Sequence, residues 1–121
     1  MSTDPRTATV NVFVTKPLEI NEPAWCKGHA DDRAGYKVDI SHDGPEHVVA
    51  PGDREMFRAF ISQAPFSNVD PTVSLYIEPD MEPRSCTPDE VHQFADDLVE
   101  AAAQLRALGR QLAEILAGGA A

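Results

Sequence analysis

The stretch Thr72-Val73-Ser74-Leu75-Tyr76-Ile77-Glu78, followed after a proline-bounded linker by Thr87-Pro88-Asp89-Glu90, decides the fold class. In the first part apolar Val73, Leu75 and Ile77 alternate with polar neighbours, the two-residue period of a strand. The second part is a helix start: Thr87 as N-cap, Pro88 in the first position, and Glu90 three residues on to close a capping box. The helix should run over 88–117, where Gly118-Gly119 stops it. Asp89, Glu90, Asp96 and Asp97 crowd its early turns and Arg106 and Arg110 its later ones, as the macrodipole favours. A strand giving way to one long helix argues for an α+β protein.

Such a helix is longer than the sheet it should cover. Thirty residues at a rise of about 1.5 Å span roughly 45 Å, whereas strands of six or seven residues span about 20 Å. Val91, Ala95, Leu98, Ala102, Leu105, Gly109, Leu112 and Leu116 recur at intervals of four and three, with Phe94, Ala101, Leu108 and Ile115 beside them. About four turns suffice for the domain's own sheet. The rest, where small Ala102 and Gly109 permit close approach, is a candidate for a partner helix or for a homodimer through Leu105, Leu108, Leu112 and Leu116. The alternative is a helix that bends onto the core or frays after Gly109, whose cost against Ala is about 1 kcal/mol.

Earlier in the chain, Met56-Phe57-Arg58-Ala59-Phe60-Ile61 fits either a helix face or a short strand. A strand is expected, because it would make a hairpin with 72–78. Thr9 to Thr15 alternates with Val10, Val12 and Val14 on one face and reads as a first strand. Leu18 to Ala24 reads as an irregular crossing loop. Tyr36 to His42 alternates again, and Asp43-Gly44 is a two-residue hairpin signal that should return Pro45 to Ala50 antiparallel, before Pro51-Gly52 turns the chain once more. The expected architecture is therefore an antiparallel sheet of four to five strands packed against one long C-terminal amphipathic helix. Residues 8–117 form a single domain, between a disordered segment 1–7 and a flexible tail 118–121.

With 121 residues and a 42% hydrophobic share, the chain can bury one core. Ten basic against twenty acidic side chains give a net charge of −10. That charge argues against direct contact with nucleic acid or an anionic membrane, both of which demand Lys and Arg, and it admits a basic protein partner. No apolar run approaches the roughly 20 residues of a membrane span, and Met1 to Arg6 has no signal-like apolar region. Cys26 and Cys86 do not make a disulfide framework, so a cytoplasmic protein with reduced thiols is expected.

Soft ligands cluster in one place. Cys26 and His29, followed by His42 and His47, have intervals close to those of a small zinc site. Cys26 and His29 can meet one ion from a single turn, and across a tight Asp43-Gly44 hairpin His42 and His47 lie diagonally on one face. Four such ligands would close a tetrahedral, structural zinc site. His47 is the least secure of them, and Asp31, Asp32 or Cys86 could replace it. Equally, Cys26 can be a small buried hydrophobe beside Trp25, His42 the end of an apolar face, and His47 a solvated edge residue. For catalysis by a thiolate, Cys26 has no helix N-terminus and no evident orienting acid; Cys86, next to the N-cap, has the better setting but no local signature.

The pair Trp25-Cys26, His29, the His42-Asp43-Gly44 segment and the Thr87-Pro88 helix start together resemble a family of small actinobacterial domains of unknown function, over about residues 20 to 105. The resemblance implies metal ligation by Cys26, His29 and His42; it does not include His47 and implies no activity. The Ala-rich, Arg-over-Lys composition fits a high-GC bacterium, or a phage or mobile element within one. The expected function is that of a non-enzymatic, acidic regulatory or accessory protein that binds another protein. Two alternatives are a nucleic-acid mimic directed at a basic DNA-binding protein and a thiol- or zinc-dependent enzyme.

Overall fold

The computed structural model describes residues 5–11, 17–30 and 35–118. Over these the chain is α+β, with two antiparallel sheets and one long C-terminal helix. The smaller sheet is a hairpin of β1 (Arg6–Asn11) and β2 (Pro17–Glu22), in register from Arg6 opposite Glu22 to Asn11 opposite Pro17. β1 opens at Arg6, inside the segment expected to be disordered, and its observed span ends at Asn11; Val12 and Val14 of the expected strand lie outside the described residues. β2 replaces the irregular loop expected over Leu18 to Ala24. Leu18, Ile20 and Glu22 alternate inward, and Pro17 is tolerated because it is the strand's first residue, where a missing donor does least harm.

The larger sheet is built around β5 (Phe57–Gln63), the strand chosen over a helix for that stretch. β6 (Ser74–Pro79) pairs with it from Phe57 opposite Pro79 to Ser62 opposite Ser74, the expected hairpin. Along β5 also lie β3 (His42–Asp43) and β4 (His47–Val49), with His42 opposite Gln63 and His47 opposite Ala59. The pairing sum moves by one between these two, so residues 42 to 49 run past β5 in a single direction as an interrupted, bulged strand. Asp43-Gly44 is accordingly a bulge and not the expected hairpin turn, and Pro45 to Ala50 does not fold back on 36–42. Gly44 donates its N–H to the Ile61 carbonyl at 2.8 Å, and a Cβ there would stand 3.2 Å from the Trp25 carbonyl oxygen. The Pro51-Gly52 turn is present and delivers the chain into β5.

Tyr36 to His42, expected as a strand, is instead a 3-10 turn over Lys37–Asp39 leading to β3. The turn's N–H groups, from Asp39 to Tyr36 and from Ile40 to Lys37, leave Tyr36 and Val38 outside and drop Ile40 into the core. That core is divided. Val10, Ile20 and Ile40 form one cluster, flanked by Leu18 and Phe66; Val49, Met56 and Ala101 form another, flanked by Phe57, Phe94 and Leu105.

The helix α1 (Pro88–Gly118) starts as expected: the Thr87 hydroxyl accepts from the Glu90 N–H at 3.3 Å and the Glu90 carboxylate from the Thr87 N–H at 3.0 Å. It packs on the second cluster through Phe94, Ala101 and Leu105. The row that touches the sheet is thus largely the one flanking the expected stripe. Of the stripe itself, Val91, Leu98 and Leu116 are 52%, 40% and 55% exposed, and Ala95 and Gly109 are open as well.

Candidate metal centre

Two loops and two strand ends converge where the sheets meet. The segment Pro23 to His29 leaves β2 through a turn closed by the Cys26 N–H on the Pro23 carbonyl (3.1 Å). Arg6, at the start of β1, donates one guanidinium nitrogen to the carbonyls of Pro23 and Cys26, each at 2.7 Å, and so clamps this loop against the hairpin. The Lys27 N–H reaches the Asp43 carbonyl at 2.9 Å, tying the same loop to β3. Asp43 is itself held by the hydroxyls of Ser41 (2.9 Å) and Ser62 (2.8 Å). Gly28 has φ of 105°, a conformation that side chains other than glycine's rarely adopt, and this turns His29 back toward Cys26.

The result is that one ligand atom from each of Cys26, His29 and His42 lies within 4.8 Å of the other two, a group that could hold a metal ion. Cys26 Sγ is 3.6 Å from His29 Nε2, and His29 Nε2 is 3.2 Å from His42 Nδ1. Cys26 and His42 are only 6% and 2% exposed. Burial pushes the Cys26 thiol up from its ordinary range, against the Gly28 N–H, which lies 3.4 Å from the sulfur and favours thiolate. Burial also lowers His42, with His29 adding to the effect, so the ring stands neutral, the form that ligates. A backbone hydrogen bond to Asn21 on β2 orients that ring, the kind of outer partner that ligating histidines use. Trp25 covers it edge-on, ring centres 6.3 Å apart.

Three of the four candidate ligands are therefore brought together, and His47 is not among them. It sits exposed on β4 opposite Ala59, four residues along β5 from the partner of His42, which is about 13 Å. The diagonal placement depended on a two-residue turn at Asp43-Gly44, and the bulge removes it. Of the substitutes, Cys86 is half-buried near the start of α1 and outside the group, while Asp31 and Asp32 lie outside the described residues.

One neighbour of this group carried no sequence signal. Glu22 is 7% exposed; its Oε2 meets Arg6 Nε at 2.8 Å, and its Oε1 is buried with no hydrogen-bond partner among the described residues. That oxygen is 3.7 Å from His29 Nε2. Among the described residues Cys26 and Cys86 are free thiols, and no helix is long and apolar enough to cross a membrane.

Fold and site together define a small α+β domain carrying a candidate Cys/His centre between its sheets. The chain belongs to the family described as a domain of unknown function, DUF6907, which matches residues 7–114. No curated protein and no solved structure matches it.

Proposed function

We propose that this domain works by contact and not by turnover: an acidic regulatory or accessory protein that binds another protein, braced by a structural zinc at Cys26, His29 and His42. The observation that carries the binding half is the open seam of α1. Val91, Ala95, Leu98, Ala102, Leu105, Gly109, Leu112 and Leu116 keep a heptad spacing, and most of that row is turned away from the sheet. A Cβ at Gly109 would meet nothing within 4 Å, so the domain's own packing gives no reason for a small residue there. A second helix lying close does.

A second copy, antiparallel, is the occupant best suited to it. Large Leu98 and Leu112 alternate with small Ala95, Ala102 and Gly109, so these two leucines can each seat opposite a small residue of the other helix, while Leu105 packs on the domain's own core. The same orientation brings the acidic half, with Asp96 and Glu100, beside Arg106 and Arg110 of its mate. Size-exclusion chromatography with light scattering checks this: the wild type is expected at twice its 13.2 kDa mass, and Leu98→Asp at the monomer mass. A wild type that stays monomeric at every concentration removes self-association, and retention of the dimer by Leu98→Asp removes the seam as its cause.

A reducing cytoplasm and a high-GC actinobacterial host, or a phage or mobile element within one, complete the proposed setting. One observation favours a second reading, thiol chemistry at Cys86. This residue lines an open depression of about 360 Å³ with Met81, Pro83, Arg84 and Phe94, and its thiol is hydrogen-bonded to Arg84. Selective labelling of Cys86 by iodoacetamide at neutral pH, faster than a free thiol of ordinary acidity, would speak for it; labelling at the ordinary rate would end it.

A further inference from the structure

We infer that Glu22 is the fourth ligand of the centre, giving a Cys26–His29–His42–Glu22 site for one tetrahedral cation of the zinc class; this rests on the reading of the first three as ligands. Around a tetrahedral zinc with bonds of about 2.0–2.3 Å, neighbouring ligand atoms stand roughly 3.3 Å apart for nitrogen or oxygen pairs and 3.6 Å for nitrogen with sulfur. The separations from His29 Nε2 are 3.2 Å to His42 Nδ1, 3.6 Å to Cys26 Sγ and 3.7 Å to Glu22 Oε1. The first two match edges of such a tetrahedron, while Glu22 Oε1 lies beside His29 but outside the group of atoms within 4.8 Å of one another, and its side chain must turn in to complete the set.

Hydrogen bonding accounts for the same arrangement poorly. One imidazole nitrogen carries at most one proton, yet three polar atoms crowd around Nε2 of His29. A proton shared with His42 Nδ1 would still leave buried Glu22 Oε1 with only the weak thiol donor of Cys26, a poor partner for a buried carboxylate. A cation among the four atoms serves all of them at once. Its two positive charges meet a thiolate and a carboxylate, while Arg6 on Glu22 Oε2 fixes which oxygen faces the centre. Soft sulfur and imidazole select zinc or a neighbouring transition metal over magnesium or calcium.

The assignment also changes what the ion joins. Glu22 ends β2, Cys26 and His29 lie in the loop after it, and His42 opens β3, so the four ligands span both sheets. Untagged protein, stripped with a chelator, is titrated with Zn²⁺ against a chromophoric competitor and loaded with Co²⁺ for its visible spectrum. The wild type should take one equivalent, with a tetrahedral cobalt spectrum and a thiolate charge-transfer band. Glu22→Gln should weaken zinc at least tenfold and alter the cobalt bands, Glu22→Asp should recover part of the loss, and His47→Ala should match the wild type. Where Glu22→Gln folds only with metal, the zinc concentration at half-folding, followed by circular dichroism, shifts by the same factor. Wild-type affinity and an unchanged cobalt spectrum in Glu22→Gln overturn Glu22 alone; a wild type that takes up no stoichiometric metal overturns the three-residue reading with it.

Discussion

Gly44 shows how little slack the centre has. Its N–H is bound to Ile61, and a methyl group in place of its hydrogen would press on the Trp25 carbonyl at 3.2 Å, with the Ile61 carbonyl at 3.5 Å. Backbone on both sides cannot rotate away as a side chain would. Gly44→Ala is therefore expected to destabilise the fold by about 1–3 kcal/mol, the usual cost of forcing extra atoms into a packed site, read from the shift in denaturant midpoint at unchanged slope. The residue types of the centre were legible in part. A cysteine and histidines at short intervals stand out against a chain with few of either, whereas Glu22 is one acid among twenty and nothing in its spacing sets it apart. Only its burial, with one oxygen on Arg6 and the other turned toward His29, distinguishes it. His47 misled for the opposite reason: its chemistry was right and its place depended on one turn.

Among the elements, those declared by local chemistry were readable and those declared by tertiary context were not. The alternation of 72–78 and the capping box of α1 are written in consecutive residues, and both appear where expected. β2 hid behind two prolines, and within Tyr36 to His42 it is His42 that pairs, with β5, while Lys37–Asp39 curled into a 3-10 turn. The capping box yields two predictions. Thr87→Ala should cost about 1 kcal/mol, because the Glu90 N–H then loses its acceptor; the check is thermal denaturation beside an exposed control such as Ala117→Ser. Glu90 also titrates in a known sense. Its carboxyl is held below the ordinary value of 4.5, first by the Thr87 N–H and then by the Thr87 hydroxyl, with Arg84 adding to them. A folded value lower than the unfolded one means that the contribution is whole above pH 4.5 and fades as pH falls through the depressed value. Protection factors of amides in the first turn of α1 should fall on acidification before those in the middle of the helix do, and Glu90→Gln should abolish that difference.

At the scale of the whole molecule the question is what holds two small cores in one body. Among the described residues each cluster has three buried members, and no strand of the two-stranded sheet pairs with the larger one. Links across the joint include Ile40, the Lys27–Asp43 hydrogen bond, the His42–Asn21 hydrogen bond and the proposed metal centre. The first three are individually modest, of order 1 kcal/mol for a hydrogen bond. An ion at a hundred times its dissociation constant would add about 2.7 kcal/mol to the folded state, the largest single link. Removal of metal should then act unevenly. The chelated protein is expected to melt on the order of 10 °C lower than the zinc form, and amides of β1 and β2 should lose exchange protection while those of β5, β6 and the first half of α1 keep theirs. The contrast matters more than the size of the shift. If β1 and β2 stay as protected as β5 after chelation, the hairpin is held by its own contacts and the ion does not brace the domain. If both halves open together, the two clusters behave as one cooperative unit despite their separate packing, and the brace supports the whole fold instead of the joint between its sheets.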